Sequence, residues 1–139
     1  MTTSNADLRD WVDAVAALTK PARIHWCDGS DAEYQGLVAE MQKSGDLIAL
    51  NQKTYPNCYL HRSNPSDVAR VEHLTFVCTN DRDAAGPNNN WMAPTQAHQK
   101  MDELFAGTMQ GRTLYVIPYC MGPIDSPYSR CAVDITDSA

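Results

Sequence analysis

The sequence predicts an α/β domain, a mixed sheet with flanking helices. Two observations lead there: stretches with the three- and four-residue apolar period of amphipathic helices alternate with short β-branched and aromatic runs, and turn-forming residues punctuate the joins. A third sets the scale: 139 residues with 43% hydrophobic and 20% charged side chains match one globular domain with a real core.

The elements follow in order. Asn5–Lys20 reads as a helix, because Leu8, Trp11, Val12, Val15 and Leu18 form one apolar stripe, with Ser4 or Asn5 as N-cap and Pro21 as stop. Arg23–Cys27 is a short strand ended by Asp28-Gly29. Ser30 and Glu33 then make a capping box for a helix whose face carries Tyr34, Leu37, Val38 and Met41 and which ends near Gly45. Leu47–Leu50 reads as a buried strand, and Asn51–Asn57 as a polar turn before Cys58-Tyr59-Leu60.

Leu74–Cys78 (LTFVC) is a clear strand, and Asn80–Asn90 a long polar loop that ends on Trp91 as an anchor. Thr95–Phe105 is the third helix, with Thr95 as cap, Gly107 as terminator, and an apolar face of Ala97, Met101, Leu104 and Phe105. Gly107–Arg112 fits neither a phosphate-binding loop nor a dinucleotide fingerprint and reads as a connector. Thr113–Tyr119 is the most β-prone segment, with Pro118 marking an edge position or the strand end. Met121-Gly122-Pro123 turns the chain into a last strand, Cys131–Thr136. The sequence stops directly after that strand, which reads as a chain cut within a domain.

A net charge of −6 and pI near 5.0 argue against nucleic acid or an anionic membrane as partner, since both select a basic surface. The odd count of five cysteines and their wide gaps suggest buried, reduced thiols in a cytoplasmic protein. His25, His61, His73 and His98 are scattered, with no CxxC or HExxH, so no zinc site is expected. Asp81 with Asp83, and Asp134 with Asp137, are carboxylate pairs too small to define a hard-cation site.

The stretch that draws the eye is Ser63–Glu72, SNPSDVARVE. Pro65 biases Asn64 toward extended backbone, and if Arg70–Glu72 opens the strand to Cys78, alternation puts Arg70, Glu72 and Leu74 on one face. A guanidinium offers a planar fork of donors suited to a small carboxylate. An exposed ion pair of Arg70 with Glu72 is the competing reading.

Asn64–Glu72 (NPSDVARVE), Gly86–Trp91 (GPNNNW) with its following helix, and Gly111–Ser138 (GRTLYVIPYCMGPIDSPYSRCAVDITDS) together resemble the GTP-dependent phosphoenolpyruvate carboxykinases. The likeness covers essentially the whole chain, matched to the N-terminal part of much longer proteins. It implies the N-terminal domain of that fold, with residues 1–139 an incomplete substrate-binding domain. It also implies conversion of oxaloacetate and GTP to phosphoenolpyruvate, GDP and CO2 in gluconeogenesis. Manganese at the active site and a second divalent ion, magnesium or manganese, on GTP are the implied cofactors. By the same resemblance Arg70 binds a carboxylate of oxaloacetate or phosphoenolpyruvate, and Glu72 couples substrate binding to closure. The metal-binding Lys, His and Asp, the P-loop with its reactive cysteine, the guanine pocket and the lid are expected beyond this chain, so no catalytic, cofactor or metal residue is assigned within it. The full-length protein is expected to be a cytoplasmic monomer. The alternative is a non-catalytic short module that binds a small dicarboxylate or a protein partner. The fragment reading predicts an unpaired strand edge around Thr113–Tyr119 or Cys131–Thr136.

Overall fold

The computed structural model describes residues 3–65 and 71–137, and it builds the larger of two compact units around one strand. The larger unit comprises Met1–Asp28 and His73–Ala139, and the smaller Gly29–Glu72. Along the chain the elements are α1 (Ala6–Thr19), β1 (Arg23–Trp26), α2 (Asp31–Ser44), β2 (Ile48–Ala49), β3 (Tyr59–Leu60), β4 (Phe76–Val77), β5 (Asn90–Trp91), α3 (Pro94–Phe105), β6 (Thr113–Met121) and β7 (Arg130–Asp137).

The larger unit's main sheet has the order β1-β6-β7, with β1 parallel and β7 antiparallel to β6. It is therefore a mixed sheet, as expected, and Thr113–Tyr119 is its centre. Of the two expected places for an open edge, it is Cys131–Thr136, in β7, that lies at one. Pro118 is tolerated there for a reason that the ladder supplies. The carbonyls of Arg112 and Val116 accept from Ala22 N–H and Cys27 N–H, each at 2.9 Å. Even-numbered residues of β6 thus turn their backbone polar groups toward β1, and odd-numbered ones toward β7. The N–H that Pro118 lacks would face β1, whose register with β6 ends at Trp26 opposite Val116. The parallel ladder stops short of Pro118, while β6 continues against β7 to Met121.

The core lies on the even face of β6. Val12, Met109, Leu114 and Val116 are buried together, with Leu8, Val15, Ala16, Trp26, Val133 and Ile135 packed around them. The predicted stripe of α1 supplies Leu8, Val12 and Val15 to that core, whereas Trp11 remains 46% exposed. Asn5 Oδ1 accepts from Leu8 N–H at 3.1 Å, so Asn5 and not Ser4 caps the helix. Its end is a left-handed Lys20 (φ 56°) whose N–H reaches Ala16 O, with Pro21 next. Gly107 N–H donates to Leu18 O and Met109 N–H to Thr19 O, both at 2.9 Å, which ties the turn after α3 to the end of α1.

One expectation for α3 changes, its start. The helix begins one residue earlier, at Pro94, and Ala93 holds the cap position with no side-chain bond. Proline at the first helical position has no N–H to satisfy and a backbone angle suited to the helix, which places Thr95 inside the first turn and not at the cap. Ala106 stands at its C-cap, and Gly107, left-handed at φ 71°, follows as the expected terminator. Its apolar face is largely open: Met101, Leu104 and Phe105 are 43%, 60% and 50% exposed.

In the smaller unit, Ser30 Oγ accepts from Glu33 N–H at 3.1 Å, as the capping box predicts, and Glu33 Oε2 accepts from Gly29 N–H at 2.8 Å. Gly45 ends α2 in left-handed backbone. Val38 is buried, and Tyr34 and Met41 are exposed. The run Leu47–Leu50 is not a buried strand. Only Ile48 and Ala49 pair, with Leu60 and Tyr59, and Ile48 is 50% exposed. A two-residue antiparallel ladder outside the main sheet has no second layer to bury its faces.

Candidate functional site

Arg70 falls outside the described residues, as do the others of 66–70. Glu72 is described: it is exposed, and it is the first residue of a single 3-10 turn, Glu72–Leu74. The expected strand from Arg70 to Cys78 therefore shrinks to Phe76–Val77, and strand alternation does not set the direction of Glu72 relative to Leu74. The cause is the partner. Strand β4 pairs only with Asn90 and Trp91, so two residues find a parallel ladder and the segment before them turns instead.

The polar loop after β4 is more ordered than its composition suggests. Asp81 Oδ1 accepts from Asp83 N–H at 3.0 Å and opens a 3-10 turn over Arg82–Ala85. Asn89 Nδ2 then donates to Ala85 O at 2.8 Å, and Asn90 Nδ2 to Thr75 O at 3.2 Å. Trp91 is half-buried and donates Nε1–H to Thr79 O at 2.9 Å, the anchor role expected of it. Side-chain amides thus tie the loop to its own backbone and to the strand before it, which accounts for two of the three consecutive asparagines. Sequence reading missed this role; its only trace is an Asn run beside a strand too short to hold itself.

Beside these staples lies an open cleft of about 700 Å³, lined by Phe76, Arg82, Asp83, Gly86, Pro87, Asn89, Asn90 and Trp91. Its size suits a small molecule. Among its described lining residues, Arg82 and Asp83 are the charged ones, and their charges offset each other. Lys100 Nζ sits 5.8 Å from the centroid of Phe76 on its flank.

Neither carboxylate pair forms a cation site. Asp81 is engaged as the cap of the turn just described. Asp134 and Asp137 are three apart on β7 and so point to opposite faces, and Asp137 Oδ2 accepts from Arg112 Nη1 at 2.7 Å. The glycines of Gly107–Arg112 form no phosphate cradle either. The N–H groups of Gly107, Thr108, Met109, Gln110 and Arg112 are all bonded to carbonyls of this chain. The connector reading therefore stands. No helix among the described residues is long and apolar enough to cross a membrane.

The cysteines depart from expectation. Cys58, Cys78 and Cys131 are exposed, and only Cys27 and Cys120 are partly covered. Cys58 precedes β3 and Cys78 follows β4, both outside those two-residue ladders, and Cys131 lies one residue into the edge strand β7.

Comparison with known proteins bears on the whole chain. A family profile described as "Phosphoenolpyruvate carboxykinase N-terminal domain" matches residues 10–139. A protein of Anaeromyxobacter dehalogenans (strain 2CP-C) named phosphoenolpyruvate carboxykinase [GTP] is 54% identical over 136 residues, 98% of this chain and 23% of that protein. One of the same name from Chlamydia muridarum is 50% identical over 135 residues, 97% of this chain and 22% of its own length. The chain thus spans less than a quarter of the curated relatives that it matches.

Proposed function

The chain belongs to the family of the phosphoenolpyruvate carboxykinase N-terminal domain, and from that premise we propose that it supplies part of the oxaloacetate and phosphoenolpyruvate site of a GTP-dependent carboxykinase. The observation that carries this is the match over residues 10–139, together with 54% identity to a relative of that name. The whole reaction is oxaloacetate plus GTP to phosphoenolpyruvate, GDP and CO2, a step of gluconeogenesis. Residues 1–139 act as part of the substrate-binding domain of that fold, in a cytoplasmic protein that is a monomer at full length.

Arg70 is the substrate contact. Its guanidinium donates two parallel N–H bonds to one carboxylate, which fixes the orientation of the substrate as well as its affinity. Glu72, two residues on and exposed, couples occupancy of the site to its closure. Manganese and a GTP-bound divalent ion would stabilise the enolate and the transferring phosphoryl charge. Asp134 and Asp137 face apart, Asp81 caps a turn, and the N–H groups of Gly107, Thr108, Met109, Gln110 and Arg112 are bonded within the chain, so none of these is assigned to either group. No step is therefore assigned to this chain through the metal or the nucleotide, and the chain by itself is expected to be inactive.

The test is steady-state kinetics of a full-length protein containing this chain, with Arg70→Ala. Loss of a charge-assisted bidentate contact is expected to raise KM for oxaloacetate and phosphoenolpyruvate by about 10- to 100-fold, with the GTP constants unchanged. Unaltered substrate constants would remove Arg70 from the site.

A further inference from the structure

Cys120 and Cys131 are direct register partners across the antiparallel β6–β7 pair, and no register pair joins any other two cysteines among the described residues. The ladder also shows which kind of pair they make. Val116 turns its carbonyl to Cys27 N–H on the β1 side, and Cys120, an even number of residues on, has the same orientation relative to β7. The pair is therefore a non-hydrogen-bonded one, in which the Cα atoms stand about 4.5 Å apart and the side chains lean together on one face. Disulfides span Cα separations of roughly 4.4–6.8 Å, so a bond can close here without movement of either strand.

We propose that Cys120 and Cys131 form a reversible cross-strand disulfide with a low-molecular-weight disulfide as oxidant. Cys131 is exposed and meets the oxidant first; Cys120 is partly covered. The Cys131 thiolate attacks one sulfur of the small disulfide, forms a mixed disulfide, and expels one small thiolate, which takes up a proton. The Cys120 thiolate then attacks Sγ of Cys131 and expels the second small thiol. Two protein thiols are oxidised, one small disulfide is reduced to two thiols, and the two thiol protons end on those products.

The bond would close a loop of ten residues, Met121–Arg130, one register pair below the connection between the strands. That connection already folds on itself through Ser126 N–H to Pro123 O (3.0 Å) and Ser129 N–H to Ser126 O (3.1 Å). It presents Ile124 and Tyr128, 84% and 86% exposed, to whatever meets this end of the sheet. Oxidation would hold those two side chains in the hairpin and reduction would release the constraint, without a change in the core around Leu114 and Val116.

The experiment takes the reduced 139-residue chain in glutathione/glutathione disulfide mixtures, traps thiols by alkylation and maps peptides by mass. The expected result is a loss of about 2 Da and one linked peptide pair that contains Cys120 and Cys131, with Cys27, Cys58 and Cys78 alkylated. It should form at least about tenfold faster in the native chain than in urea, because the strands hold the thiols together. In Cys120→Ser the mixed disulfide at Cys131 should accumulate. A link to any other cysteine, no link at all, or a native rate no faster than the rate in urea overturns the proposal.

Discussion

Arg23 Nε donates to Thr113 Oγ1 at 2.8 Å, and the same two residues are register partners at the start of the β1–β6 pairing. One contact thus joins an exposed guanidinium to a buried hydroxyl, where the parallel strands begin. Thr113→Val keeps the shape and removes the acceptor. It should cost about 0.5–1.5 kcal/mol, read as a lower urea midpoint at unchanged slope.

Leu114 and Val12 are buried completely or nearly so, at 0% and 1% exposure, in the only cluster of buried apolar residues among those described. Leu114→Ala removes the centre of that cluster and should destabilise the larger unit by about 2–5 kcal/mol. Chemical denaturation followed by tryptophan fluorescence measures it, since Trp26 packs on the same cluster. A loss under about 1 kcal/mol would mean that the cluster is not the core.

The exposed face of α3 leads to a third expectation. Leu104 is 60% exposed and Phe105 50%, so neither contributes much to folding and both invite non-specific association. The chain should bind a hydrophobic dye such as ANS, and Leu104→Glu should lower that fluorescence with a change in stability within about 0.5 kcal/mol. A large stability loss would show that the face is packed.

Substitution by another cation sharpens the Arg70 proposal. In a full-length protein, Arg70→Lys keeps the charge and loses the fork, so KM for the dicarboxylate substrate should still rise, by about tenfold. Full retention of KM would reduce the residue's role to charge alone.

Local chemistry alone determined much of this protein. The stripe of α1, the Ser30–Glu33 box, the Gly45 stop and the β-prone run of β6 are short-range signals, and each reappears within a residue or two of its expected place. The family was legible too, because NPSDVARVE, GPNNNW and the run from Gly111 are long, specific strings. Tertiary structure decided what depends on partners. It made Pro118 part of a central strand, since the N–H it lacks faces the place where β1 has ended. It cut the strand after Glu72 to two residues because β5 offers only two, and left the apolar side of α3 open because the core forms on the even face of β6. It also brought Cys120 opposite Cys131, a placement set by the length of the connection between two strands rather than by either cysteine's neighbours. Periodicity tells a residue which side of its own element it occupies; only the packed chain decides what, if anything, lies across from it.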